Sequence, residues 1–318
     1  MTVILIKWFC VFFVVLLIVW LFYRWRQLPY HKLPNEFDMS VGNLNVLNVI
    51  DKGAQPTFRD VAYAEESKFQ KLDLYLPNAG EKLFPLVVWI HGGGLVMGDK
   101  SSMPQTDFGP APVPKGPYGP YQVQVPDVKL LNAQGYAVVS LNYRLGISPV
   151  TAATSAIKDC KTAIMFLRKH SLKYRIDPNR IAVWGNSMGG YLAAMLGVTD
   201  SRSISNYDKE LSDINSSSAI KAVIVWYGAE DRMPGKKLSL EYQVGQSKYL
   251  PPFLIVNGDT DPVITVEQAS KLHKALEQAG AESRLTIIPD AGHEDPLFGQ
   301  TQMTPSLEFL QRAFTMQK

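Results

Sequence analysis

The sequence predicts an α/β fold, a mostly parallel central sheet with helices on both faces. Short, β-branched runs that are apolar on both sides recur along the chain, such as "FPLVVWIH" (residues 84–91) and "IKAVIVWYG" (residues 220–228). Strands of this kind are buried on both faces. Stretches of helical periodicity alternate with them, which implies right-handed crossovers between parallel strands. The composition, 46% hydrophobic and 19% charged over 318 residues, supplies enough apolar side chains for a sizeable core.

Each element follows in chain order. "KFQKLDLYLP" (68–77) alternates polar and apolar residues, as a half-buried strand does. Residues 84–91 form a central strand, and "GYAVVSLNYR" (135–144) forms another. "AATSAIKDCKTAIMFLRKH" (152–170) places Ala156, Cys160, Ala163, Ile164 and Leu167 on one helical face, with basic residues in the last turn. "RIAVWGNS" (180–187) is a strand entering a turn, and "YLAAMLGV" continues as a helix. Residues 220–228 and "PFLIVNGD" (252–259) are two more buried strands. "VEQASKLHKALEQAG" (266–280) is an amphipathic helix ended by Gly280. "SRLTIIPD" (283–290) is the last strand, and "PSLEFLQRAF" (305–314) is the last helix, with proline near its start. The stretch at 101–126 breaks the alternation with seven prolines and three glycines. Regular structure is not expected there; Phe108, Tyr118 and Tyr121 could line a pocket mouth, or the stretch is a surface insert.

The N-terminus departs from globular patterning. "WFCVFFVVLLIVWLFY" (8–23) carries no charge. With the apolar residues before Lys7 it reaches about twenty residues, the length a bilayer core requires. Trp8, Trp20, Tyr23 and Trp25 lie near its ends, where amphipathic rings favour the interface. A cleaved signal would end in small residues, whereas this segment ends in "VWLFYRWRQ". The expectation is a single-pass N-terminal transmembrane helix over residues 1–26, a linker over 27–56 and the α/β domain over 57–318. The flanking charges favour a cytoplasmic domain by a margin of one. Cys10 and Cys160 fall in separate segments, so no disulfide and no cysteine metal site is expected. A net charge of +3 with no basic run argues against a nucleic-acid partner.

"WGNSMGGY" (184–191) sets Ser187 between a strand and a helix, at the sheet edge where open α/β folds bind ligands. Small residues at Gly185 and Gly189 would let strand and helix approach closely. The helix N-terminus offers the Met188 N–H to a developing negative charge. "HGGG" (91–94) ends another central strand, and Gly93 and Gly94 can complete an oxyanion hole with Met188. Such donors are worth about 3–4 kcal/mol each in the transition state. A serine hydroxyl needs a base. Of His31, His91, His170, His273 and His293, only His293 sits in a loop after the last strand, next to Gly292. His31 lies beside the N-terminal apolar segment, His170 and His273 fall on helices, and His91 reads as a residue that ties the glycine turn down. The base needs a carboxylate. "NGDTDPVI" offers Asp261, with Asp259 more suited to capping the turn; Asp290, Glu294 and Asp295 are rivals by proximity.

The chain order Ser187, Asp261, His293, each after a different strand, is that of the α/β-hydrolases. "LDLYLP", "HGGGLVMGDK", "LNYRL", "DPNRIAVWGNSMGGYLAAML", "NGDTDPVI" and "AGHE" together resemble that family over about residues 57–314. The similarity is narrower to the HGGG esterase/lipase group with acetyl-xylan and feruloyl esterase-like members. The resemblance implies Ser187 as nucleophile, Asp261 and His293 as its partners, and Gly93, Gly94 and Met188 as the oxyanion hole. It implies a serine carboxylic-ester hydrolase that needs no metal or cofactor, acting on a small-molecule or polymer-linked ester. Members acting on external polymers would place the domain outside the cytoplasm. A serine exopeptidase on the same fold and a catalytically silent binding protein are the rival readings. Met188 stands where related esterases often have alanine. With Trp184 and Trp226 expected to crowd the same edge, it points to short acyl groups.

Overall fold

The computed structural model describes residues 54–78, 83–101, 127–199 and 220–315, and the backbone of four two-residue strands between them. Contacts divide the chain into two units, Met1–Leu44 with Pro112–Tyr121, and Asn45–Ala111 with Gln122–Lys318. In the first, the described part is one short antiparallel ladder of Lys115–Gly116 with Gly119–Pro120. The second carries a matching ladder of Gln105–Thr106 with Gly109–Pro110 and the whole α/β domain.

That domain is an eight-stranded sheet built from β1 (Phe58–Ala62), β2 (Lys71–Tyr75), β3 (Phe84–Ile90), β4 (Ala137–Leu141), β5 (Ile176–Asn186), β6 (Ala222–Trp226), β7 (Phe253–Gly258) and β8 (Ser283–Ile288). The spatial order is β1-β2-β4-β3-β5-β6-β7-β8. The first three strands in that order pair antiparallel, and every pairing from β4 onward is parallel. Parallel pairing puts the C-terminal ends of β3, β5, β6, β7 and β8 along one edge, where ligands bind in such sheets.

The helices are α1 (Val128–Ala133), α2 (Pro149–Lys169), α3 (Met188–Val198), α4 (Leu240–Gln246), α5 (Val266–Gln278) and α6 (Leu297–Thr315). Alternation along the strands sends side chains to two cores. Leu86, Val88 and Ile90 of β3 face one core with the apolar sides of α2, α3, α4 and α5. Val87 and Trp89 face the other, closed by α1 and α6 through Val128, Leu131, Phe298 and Leu310. The helix α2 buries Ala156, Cys160, Ala163, Ile164 and Leu167, the face its periodicity predicts.

The last helix starts earlier than expected, β1 is a strand that the sequence pattern does not announce, and the N-terminal expectation falls outside the described residues. The helix α6 begins at Leu297, and Pro305 lies inside it; Asp295 Oδ1 accepts the Leu297 N–H at 2.9 Å and caps its start. The strand β1 lacks alternation because it is a bulged edge strand whose Asp60 has φ 54°. The expected membrane anchor over residues 1–26 lies outside the described residues. Among the described residues no helix is long and apolar enough to cross a membrane; α3, the most apolar of them, is eleven residues long. The single-pass membrane localisation is therefore withdrawn, together with the side assigned to the domain. Phe108, Tyr118 and Tyr121 also lie outside the described residues.

Candidate active site

Ser187 joins β5 to α3 with φ 49° and ψ −127°. A non-glycine residue at positive φ is strained and persists only where its surroundings fix it. The Ser187 N–H donates to Trp226 O at 3.0 Å. A Cβ on Gly185 would lie 2.2 Å from Gly189 O, and one on Gly189 would lie 2.0 Å from Ile90 O. Backbone thus crosses backbone at distances no side chain tolerates, and the serine is left half-buried at the strand's end.

His293 follows β8 and faces that serine. Its Nε2 lies 2.9 Å from Ser187 Oγ, and its Nδ1 lies 2.8 Å from Asp261 Oδ2. The Asp261 side chain is fully buried, whereas the imidazole is 11% exposed. Asp261 Oδ1 accepts the N–H groups of Val263 and Ile264 at 2.8 and 2.9 Å. One carboxylate oxygen therefore caps the turn after β7 and the other meets the base, so Asp261 does the capping expected of Asp259, which is exposed. A Cβ on Gly258 would lie 2.1 Å from Ala291 O, so this glycine lets the acid and base loops touch. Asp290 is exposed and Asp295 caps α6. Glu294 meets the pair only through space: burial raises its pKa, and the charges of His293 and Asp261 act on it in opposite directions.

The glycine turn sits against the serine. A Cβ on Gly92 would be 3.0 Å from Ser187 Cβ. Gly93 and Gly94 have φ 100° and 65°, conformations L side chains rarely adopt. The Gly93 carbonyl turns inward to accept the N–H groups of Val96 and Met97, each at 3.1 Å. Met188 is the first residue of α3, so its N–H has no intrahelical acceptor.

His91 holds this turn from beneath. Its ring stacks on Tyr143 with centroids 4.4 Å apart, and Nδ1 lies 2.8 Å from Gly92 O. Burial holds its pKa below the usual histidine value, so the ring is neutral. The Tyr143 hydroxyl donates to His91 O at 2.7 Å. Farther along the turn, Lys100 N–H donates to Asn142 Oδ1, and Asn142 Nδ2 donates to Asp99 Oδ2 at 2.6 Å. The Lys100 ammonium reaches Asp60 and Asp73 at 2.8 and 2.9 Å. Burial opposes its charge, but the hydrogen bonds to Asp60 and Asp73 together with the attraction of the two carboxylates outweigh burial and raise its pKa. Next to this network, Arg144 donates to the fully buried Asp159 from its backbone N–H and its guanidinium. In the sequence these residues sit inside "HGGGLVMGDK" and "LNYRL", two of the stretches that carry the family resemblance, but the roles of Asp99, Lys100, Asn142 and Arg144 are not read from them.

Two expected neighbours lie elsewhere. Trp184 and Trp226 are fully buried on the α6 side of the sheet, edge to face with centroids 4.9 Å apart. They form core and do not crowd the edge beside Ser187. Met188 is half-buried and packs against the opposite core. His170 ends α2 against Phe166, and His273 pairs with Ser283, its Nδ1 2.9 Å from Oγ. His31 lies outside the described residues.

The BD-FAE family model matches residues 72–113 and 118–247, more than half of the chain. The chain belongs to the BD-FAE family. A second model, the prolyl oligopeptidase family, matches residues 227–317. Among curated proteins, Esterase LipC of Mycobacterium tuberculosis is 32% identical over 206 residues, covering 55% of this chain and 49% of its own. Esterase LipQ of the same organism is 27% identical over 185 residues, covering 50% of this chain and 42% of its own. This BD-FAE chain thus spans about half the length of the curated relatives it matches. A solved structure described as a truncated form of carbohydrate esterase from gut microbiota superposes with a TM-score of 0.62 at 24% identity, over 84% of this chain and 99% of that one. That likeness shows the fold, the α/β-hydrolase fold.

Proposed function

We propose that this BD-FAE chain is a serine carboxylic-ester hydrolase in which Ser187 is the nucleophile, His293 the base and Asp261 its partner. The observation that carries the reading is the continuous hydrogen-bonded line from Ser187 Oγ through both imidazole nitrogens to a buried carboxylate. Ser187 attacks the ester carbonyl while His293 takes its proton. The N–H groups of Met188, Gly93 and Gly94 receive the oxyanion. His293 then protonates the leaving alcohol, and water hydrolyses the acyl-enzyme by the same route. The esterase names of the relatives support the same chemistry.

Met188 follows the nucleophile in the chain and is half-buried against the core; a side chain of that size where related esterases often have alanine supports a preference for short acyl groups, acetyl to about butyryl. Each methylene gains roughly 0.8 kcal/mol where a pocket admits it and clashes where a wall is fixed. A cavity of ≈ 500 Å³ is lined by Phe69, Arg144, Ile147, Ser148 and Thr151 among others, with no residue of the triad or of the glycine turn in its wall. Gly146 in its wall donates to Leu95 O at 2.9 Å, which joins it to that turn. The test is kcat/KM on 4-nitrophenyl esters from two to twelve carbons. A maximum at two to four carbons is expected, moving to longer chains in Met188→Ala; a wild-type maximum at eight or beyond would remove the short-acyl claim.

The match of residues 227–317 to the prolyl oligopeptidase family favours a second reading, a serine exopeptidase on the same fold. That segment holds the acid and base loops, while the glycine turn falls in the BD-FAE match. Faster turnover of aminoacyl 4-nitroanilides than of any ester in the series would select it.

A further inference from the structure

The segment that leaves β6 touches all three loops of the candidate site. Trp226 O accepts the Ser187 N–H at 3.0 Å. A Cβ on Gly228 would lie 2.5 Å from Ser187 O. Arg232 Nη2 donates to Val263 O at 3.1 Å, and Val263 in turn donates its N–H to Asp261. Glu230 sets that guanidinium, accepting from Arg232 Nε and Nη2 at 2.9 and 2.8 Å.

Tyr227 is the residue between these contacts. It is fully buried, and its φ of 36° is a conformation a bulky side chain adopts only under constraint. Its N–H donates to Val256 O at 2.7 Å, which anchors the strained residue to the end of β7. Its ring meets the His293 imidazole edge to face, with centroids 4.9 Å apart and an interplanar angle of 69°. Phe298 packs on the same ring with centroids 4.4 Å apart and prevents it from retreating into the core. Its hydroxyl accepts from Asn186 Nδ2 at 3.2 Å, and Asn186 immediately precedes the serine. One side chain therefore bears on the base and on the strand that presents the nucleophile.

We infer that Tyr227 is a positioning residue: its ring fixes the His293 imidazole against Ser187, and its hydroxyl ties that ring to the residue before the nucleophile. This rests on the triad reading proposed above. Tyr227 is fully buried and offers no surface to a substrate, so its removal is expected to slow chemistry without weakening ester binding. A base displaced by about an ångström costs on the order of a hundredfold in rate.

The experiment uses the full chain with Tyr227→Met, an unbranched replacement that refills core space, and Tyr227→Phe, which keeps the ring. Thermal melts, and kcat and KM on 4-nitrophenyl acetate, are measured together. Tyr227→Met is expected to fold, to lose kcat by roughly 30-fold or more and to keep KM within about threefold. Tyr227→Phe is expected to restore most of kcat. In a His293→Ala background, Tyr227→Met should cost nothing further, because the ring then has no base to place. The inference is overturned if Tyr227→Met keeps wild-type kcat, raises KM instead, slows the His293→Ala protein as well, or fails to fold, which would make Tyr227 a core residue first. A wild-type protein that hydrolyses no ester would instead remove the functional reading beneath it.

Discussion

At Ser187 the fold concentrates strain, and the surrounding atoms explain why it persists. Positive φ is imposed from one side by Trp226 O and from the other by the glycine crossings at Gly185 and Gly189. The result is a hydroxyl held 2.9 Å from an imidazole that is itself oriented by a buried carboxylate. Groups that act as one unit lose activity together. Ser187→Ala and His293→Ala should each lower kcat on 4-nitrophenyl acetate by about 10⁴-fold or more, and the double variant should be no worse than either. Additive losses would show that the two residues act separately. Asp261→Asn should fall by a comparable factor, since an amide in that place favours the wrong imidazole tautomer. Near-wild-type turnover in that variant would move the acid's role to another carboxylate.

Among the elements, the most telling are the loops after β3 and β4, which are held by buried polar groups. Asp159 on α2 is fully buried and receives Arg144 from three donors, with Gln70 Nε2 donating at 2.8 Å. Removing the carboxylate leaves these donors unpaired. Asp159→Ala should cost about 3–5 kcal/mol, read as a fall of roughly 10 °C in Tm; a Tm within about two degrees of wild type would mean the pair is dispensable. His91 makes a pH prediction. Its folded pKa lies below the ordinary 6.5 because the ring is buried, so the unfolded chain binds its proton first. Its contribution is fully present above about pH 6.5 and is lost as pH falls through that value toward the folded pKa. The depressed carboxylates Asp60, Glu66 and Asp231 act in the same direction, but only at more acid pH, below the ordinary carboxylate range. Glu294, with its pKa raised, acts oppositely. The comparison is therefore the urea midpoint from pH 7 to 5 in wild type against His91→Gln, whose curve should be flatter. Parallel curves would show that His91 is not the group being titrated.

At the scale of the whole molecule, the sequence exposed the parts of the fold that depend on burial. Strands β3, β4, β6 and β7 are short runs buried on both faces, and that is legible because both faces are covered by helices. Elements set by local turns were harder to see: β1 is bulged, α1 is six residues behind its Asp127 cap, and α6 runs through Pro305. The three residues chosen from "GNSMGG", "NGDTDPVI" and "AGHE" are the three the fold brings into hydrogen-bonding distance, since each follows a strand that parallel pairing ends at one edge. Tyr227 and Asp159 stayed hidden because their importance lies in long-range contacts that neither periodicity nor a motif encodes.

The central claim is that Ser187 is an activated nucleophile, and covalent labelling addresses it without knowledge of the natural ester. The folded full chain is incubated with a fluorophosphonate, and the modified residue is identified by mass spectrometry. A single adduct on Ser187 is expected, absent in Ser187→Ala and formed far more slowly in His293→Ala. Folded protein that stays unlabelled, or that carries the adduct on another residue, would contradict it.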